Sequence, residues 1–152
     1  MGLFRPPNVQ KMALKHDLPG LVQAACYYKK DETIRMEAQI ALECFPDELV
    51  DLFSAQLLDI HTRSVAGKSS FRLHYGLSGL IDALVLVGEP VFEPLLAAFP
   101  TGFSMNTEFA YEDVLSRLPV ADQQLRELAS DHPNARLREV AANALEKRRS
   151  LH

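Results

Sequence analysis

The stretch Asp31-Glu-Thr-Ile-Arg-Met-Glu-Ala-Gln-Ile-Ala-Leu42 decides the fold. Ile34, Ala38, Ala41, Leu42 and the following Phe45 fall at steps of four, three, one and three. That spacing lays one apolar stripe along a helix turning about 100° per residue. Asp31 is placed to cap the helix, and Pro46 is placed to stop it. The same sparse letters return in Leu137-Arg-Glu-Val-Ala-Ala-Asn-Ala-Leu145. In both stretches an apolar residue is followed by Arg, then by Ala at plus four, Ala at plus seven and Leu at plus eight. Two copies of one sparse pattern in a short chain indicate an internal repeat.

Working outward, Asn8 and Asp17 are further helix caps. Leu18, Leu21, Val22 and Ala25 form a face expected to run to Lys29-Lys30. Pro46 opens a helix with the stripe Leu49, Leu52, Phe53, Leu57 and Ile60. Residues 61–70 lose periodicity and read as a loop. Leu73, Leu77, Leu80, Ile81 and Leu84 restore the stripe, and Gly88 is suited to end it. Val91, Leu95, Ala98 and Phe99 make the next face, and residues 101–107 read as a second loop. Tyr111, Val114, Leu115 and Leu118 precede Pro119, and Leu125 and Leu128 mark another helix. A turn at 131–134 leads into the last. No segment alternates with period two, so the expected class is all-α.

Aligning the second helix of each pair places Ile34, Leu73, Thr107 and Leu137 in equivalent positions, 39, 34 and 30 residues apart. These spacings suit stacked helix pairs. The expected organisation is one domain over 1–152, with repeats at 17–45, 46–87, 90–118 and 120–149. One pair cannot bury both its faces, so stacking supplies the core.

The 152 residues are 47% hydrophobic and 24% charged, a globular mixture. A net charge of −4 without a basic block argues against nucleic acid as a partner. Cys26 and Cys44 sit at helical positions and read as buried thiols of a reducing cytoplasm, with a disulfide left open. Pro6-Pro7 comes too early for a secretory leader. The apolar run from Leu80 to Phe99 is broken at Gly88-Glu89-Pro90, so no membrane span is expected.

Ile34-Arg35-x-x-Ala38-x-x-Ala41-Leu42 and its partner at 137–145 resemble the second helix of HEAT repeats. Leu86-Val-Gly-Glu-Pro-Val-Phe-Glu-Pro-Leu-Leu-Ala-Ala-Phe99 is similar to the junction between repeats in the phycobilisome-lyase-type subgroup. Gly2-Leu-Phe-Arg-Pro-Pro-Asn-Val9 and Asp17-Leu-Pro-Gly-Leu-Val22 look like the start of many small proteins of this kind. The resemblance implies a right-handed α-α superhelix of about four helix pairs behind an N-terminal capping helix. It also implies that Arg35 and Arg138 brace turns. The middle repeats depart from this pattern, with His74 and Glu108 at the Arg position.

The five histidines form no His-x-x-x-His or His-Glu pair, and no Gly-rich phosphate loop or Gly-x-Ser-x-Gly elbow is present. Enzymatic activity, a metal and a cofactor are therefore not expected. In a HEAT-like stack the residues opposite the buried stripe of each second helix face the groove. The 100° rule selects Met36, Gln39, Ile40 and Glu43, then Tyr75, Ser78, Gly79 and Asp82. It next selects Phe109, Glu112, Asp113 and Ser116, then Glu139, Ala142, Asn143 and Glu146. Met36, Tyr75 and Phe109 would line one edge with apolar groups, while Glu43, Asp82 and Glu146 would make the other acidic. Glu112, Asp113 and Glu139 add charge between them.

Such a groove suits a protein or peptide with apolar anchors and basic residues. The same acids are also compatible with an ordinary solvated face. Arg63, Lys68 and Arg72, with Phe103 and Met105, mark a second candidate surface along the loop edge. The expected function is a non-catalytic protein-interaction module. The family resemblance implies an alternative, a bilin or other tetrapyrrole-binding protein.

Overall fold

The computed structural model describes residues 6–67, 71–100 and 105–150, and the side chains of these except at 71–75, 105 and 106. Among the described residues every regular element is helical. Three short polar side chains set the first three starts. Asn8 Oδ1 accepts the Lys11 amide at 3.0 Å and begins α1, Val9–Leu14. Asp17 Oδ1 accepts the Gly20 amide at 3.1 Å and begins α2, Leu18–Cys26. Asp31 Oδ1 accepts the amides of Thr33 at 2.9 Å and Ile34 at 3.4 Å, beginning α3, Glu32–Leu42. Each such cap is worth about 1 kcal/mol. Pro46 opens α4, Pro46–Val65, with Asp47 and Glu48 at the positive end of its dipole.

α5 spans Phe71–Val87 and ends at Gly88, whose φ of 84° is left-handed backbone that an L side chain resists. A 3-10 turn, Glu89–Val91, leads into α6, Phe92–Ala97. α7 spans Met105–Arg117, α8 Asp122–Asp131 and α9 Ala135–Ser150. α2 packs on α3, α4 on α5 and α8 on α9, while α3, α5, α7 and α9 neighbour one another in that order. α6 is the odd member. It has one and a half turns, packs against α4 and is tied to α7 by the Tyr111 hydroxyl, which donates to the Leu95 carbonyl at 3.0 Å.

The apolar stripes converge on one contiguous core. Leu21, Leu42, Leu49, Phe53, Leu84, Leu95, Tyr111, Leu115, Leu125 and Leu137 are fully buried within it. Truncating any one of these leucines to alanine costs about 2–5 kcal/mol. Ala38, Ala141 and Ala144 are also fully buried, where their small side chains let helices approach closely.

The last two pairs are joined by a cation. Pro119 stops the chain after α7 and leaves carbonyls with no amide to accept from. Arg148 of α9 fills that need. Its guanidinium donates to the carbonyls of Leu115 at 3.1 Å, Ser116 at 3.1 Å, Leu118 at 2.6 Å and Val120 at 2.9 Å. It also donates to Asp122 Oδ1 at 2.7 Å, and this hydrogen bond is the main reason the Asp122 carboxyl titrates below its ordinary value. A positive group at a helix C-terminus is favoured by the dipole as well.

Several boundaries differ from expectation. α2 ends at Cys26 rather than near Lys29-Lys30, because Tyr27 leaves the helix to reach α5. The expected loop at 61–70 is helical as far as Val65: its final turn is solvent-facing, so the backbone ladder continues without an apolar stripe. The Thr62 hydroxyl donates to Leu58 O at 2.9 Å there, and Arg63 pairs with Asp59 at 3.2 Å. Likewise α7 begins at Met105, inside the expected second loop. The remainder of both loops, at 68–70 and 101–104, lies outside the described residues, as do Lys68, Phe103 and the side chains of Arg72 and Met105. Arg138 does brace a turn, donating to His132 O at 2.7 Å. Arg35 differs: it lies 3.8 Å from Glu32 on its own helix, a lateral pair.

Arg148→Ala removes one guanidinium from several carbonyls at once. It is expected to lower stability by roughly 2–3 kcal/mol, read as a fall in the thermal midpoint of about 5–10 °C by circular dichroism.

Candidate functional site

The second helices carry large apolar side chains that the core does not use. On α3, Met36 is 54% and Ile40 60% exposed, and on α7 Phe109 is 56% exposed. Met36 and Ile40 sit one turn apart on a single face, with Gln39 half-buried beside them and Glu43 exposed at the helix end. Tyr75 belongs to α5, but its side chain lies outside the described ones. α5 stands between α3 and α7 in the packing order, so the two apolar islands are separated by one helix.

The acidic positions are not a free row. Asp82 Oδ1 receives Arg117 of α7 at 2.8 Å, and Asp82 Oδ2 accepts the Tyr27 hydroxyl at 3.3 Å. Arg117 reaches Asp113 at 3.7 Å, and Lys147 of α9 lies 3.8 Å from the same carboxylate. Glu112 accepts the Asn143 amide at 2.8 Å, and Glu108 pairs with Arg136 at 2.7 Å. Asp82, Glu112, Asp113 and Asn143 are therefore brought together, but as a lattice that stitches α5, α7 and α9. Each half-exposed pair contributes only about 0–1 kcal/mol. Glu43, Glu139 and Glu146 remain exposed. Ser116, read from the sequence as a groove position, is buried, because its hydroxyl turns back to Asp113 O at 2.8 Å and α9 covers its carbonyl. Gly79 is buried too, beneath Tyr27.

A cavity of about 470 Å³ lies where α2, α4 and α5 meet. Its walls are Pro19, Val22 and Gln23 of α2, Tyr27, Leu52 and Gln56 of α4, and Gly76, Gly79 and Leu80 of α5. A Cβ on Gly79 would sit 3.2 Å from the Tyr27 hydroxyl oxygen, so packing accounts for that glycine. Among the described residues a Cβ on Gly76 would meet only Gln56 Nε2, at an ordinary 3.5 Å. Gly76 thus sacrifices about 1 kcal/mol of helix propensity relative to alanine without a neighbour among the described residues that requires it. The Tyr27 and Gly76 contributions escaped the stripe analysis, although two glycines three residues apart inside an apolar helix were a visible signal.

Among the described residues no group of three or more His, Cys, Asp or Glu is placed to hold a metal ion. No described helix is long and apolar enough to cross a membrane. Both cysteines are free thiols, and Cys44 is exposed rather than buried as the sequence suggested. Burial, and secondarily the charge of Asp82, pushes the Cys26 thiol up to about 11. At pH 8 roughly one Cys26 in a thousand is then thiolate. Peptide mapping after brief iodoacetamide treatment at pH 8 is expected to find Cys44 modified and Cys26 intact, with Cys26 reacting as pH rises toward 11. No family model, no curated protein and no solved structure matches this chain.

Proposed function

We propose that the chain is a HEAT-like stack of helix pairs whose second helices, α3, α5, α7 and α9, present a protein- or peptide-binding face without catalysing a reaction. The observation that carries this reading is the set Met36, Ile40 and Phe109, large apolar side chains more than half exposed on helices whose other faces are efficiently buried. A surface built only for solubility gains nothing from a phenylalanine at such a position, whereas apolar anchors are what a docking partner uses. The successive contacts of α3, α5, α7 and α9 support the stacked arrangement. Two free thiols suit a reducing compartment such as the cytoplasm.

The partner's chemistry is weighted toward apolar anchors. Asp82 and Asp113 already hold Arg117 and Lys147, so an incoming Lys or Arg would exchange one pair for another. Basic residues of a partner fit best against Glu43, Glu139 and Glu146. The tetrapyrrole alternative draws less support. A bilin's propionates call for cations, and the described cavity lining carries none.

Phe109→Ala and Ile40→Ala test the reading, with partner capture from the native lysate quantified against wild type. Each is expected to reduce recovery of the same bound protein by about tenfold, the scale of one interface hot spot, with an unchanged far-UV spectrum. Undiminished recovery by both variants would overturn it.

A further inference from the structure

The geometry points to a second site: the cavity between α2, α4 and α5 takes a small, uncharged, largely apolar molecule bearing one neutral hydrogen-bonding group, seated on the bare backbone at Gly76. It is distinct from the apolar anchors proposed for partner capture, since Met36, Ile40 and Phe109 do not line it. The cavity exists because α2 and α4 both pack on α5 yet leave a seam between themselves. Its volume of about 470 Å³ falls inside the range, about 300–1,000 Å³, of pockets that enclose small ligands.

Three features define the ligand. Val22, Leu52 and Leu80 supply apolar walls that gain from displacing water. Gln23 and Gln56 carry neutral amides and Tyr27, whose hydroxyl donates to Asp82, offers its oxygen as an acceptor, the few oriented polar groups that such pockets use. None of the described lining residues is charged, and the neighbouring Asp82 is engaged by Tyr27 and Arg117. A carboxylate, phosphate or ammonium would therefore leave water without meeting a counter-charge among the described residues.

The floor carries the argument furthest. Glycine inside a helix is disfavoured against alanine and persists where something must approach the backbone closely. At Gly79 that something is the Tyr27 ring. At Gly76 the nearest atom of a described residue would be Gln56 Nε2 at an ordinary 3.5 Å, which leaves room there for a ligand among the described residues.

The probe is 2-naphthamide, a flat apolar ring with one neutral amide, and its charged counterpart is 2-naphthoate. Titration is followed by the backbone amide resonances of Gly76 and Gly79 and the side-chain amide of Gln56. The amide probe is expected to shift all three saturably, with a Kd below about 1 mM, and the carboxylate to bind at least about tenfold more weakly. Gly76→Leu, which puts a side chain into the cavity, is expected to abolish the shifts at Gly79 and Gln56. Gln56→Leu, altering a different helix, is expected to weaken binding several-fold. Gly76→Ala is expected to raise Tm, as a helix freed of an unneeded glycine should. Phe109→Ala is expected to bind the probe like wild type, which keeps this site distinct from partner capture. The inference is overturned by the absence of saturable shifts, by equal binding of the carboxylate, by undiminished binding to Gly76→Leu, or by a lower Tm for Gly76→Ala.

Discussion

The middle of the molecule depends on a buried phenol. Tyr111 is fully enclosed, and its hydroxyl has lost water on every side. It donates to the Leu95 carbonyl at 3.0 Å, and burial raises its pKa, so it remains a neutral donor. Its ring stands edge-on to Phe99 at 4.8 Å and tilted to Phe53 at 5.6 Å. One side chain thus joins α4, α6 and α7. That matters most for α6, which at six residues is far too short to hold itself together. Its position is set by the requirement that a buried hydroxyl find an acceptor, together with the apolar burial of Phe92 and Leu95.

The C-terminal half solves the same accounting problem with charge. α7 ends at a proline, and the carbonyls stranded there are satisfied by a guanidinium delivered from α9. A planar group with five N–H donors can serve several carbonyls at once, which a lysine ammonium on a flexible stem does less well. Because donor and acceptors come from elements about thirty residues apart, closing this cap also fixes how the last pair sits on the third. The turn before α9 is held in parallel by Asn134, whose side chain accepts the amides of Arg136 and Leu137.

What could be read from the sequence was whatever a helix decides locally. The stripes of Leu18 to Ala25 and Leu49 to Ile60, the caps at Asn8, Asp17 and Asp31, and the stop at Gly88 all follow from periodicity or backbone chemistry. Even Thr107, polar but placed on a stripe, is buried. The readings that failed depended on a distant partner. Ser116 and Gly79 fall on the outward side of their helices by angle, yet α9 and Tyr27 cover them. Glu112 and Asp82 were legible as acids but not as acids with partners, since Arg117 sits on the following second helix from Asp82, and Asn143, whose amide donates to Glu112, on the one after that. The solvent-facing end of α4 was missed because exposed turns carry no stripe.

These pairings change what the surface can recognise. A row of unpaired carboxylates would attract basic partners over a Debye length and make binding fall with salt. Here Asp82 and Asp113 are already paired with cations, and Met36 and Ile40 on α3 and Phe109 on α7 are large exposed apolar groups. The cavity against α5 is likewise apolar, and none of its described lining residues is charged. Both surfaces therefore gain from removing apolar area from water, at roughly 25 cal/mol per Å², far more than from charge. Recognition on either one should show a negative heat-capacity change and little salt dependence, the opposite of the behaviour that a reading of the isolated acids suggests.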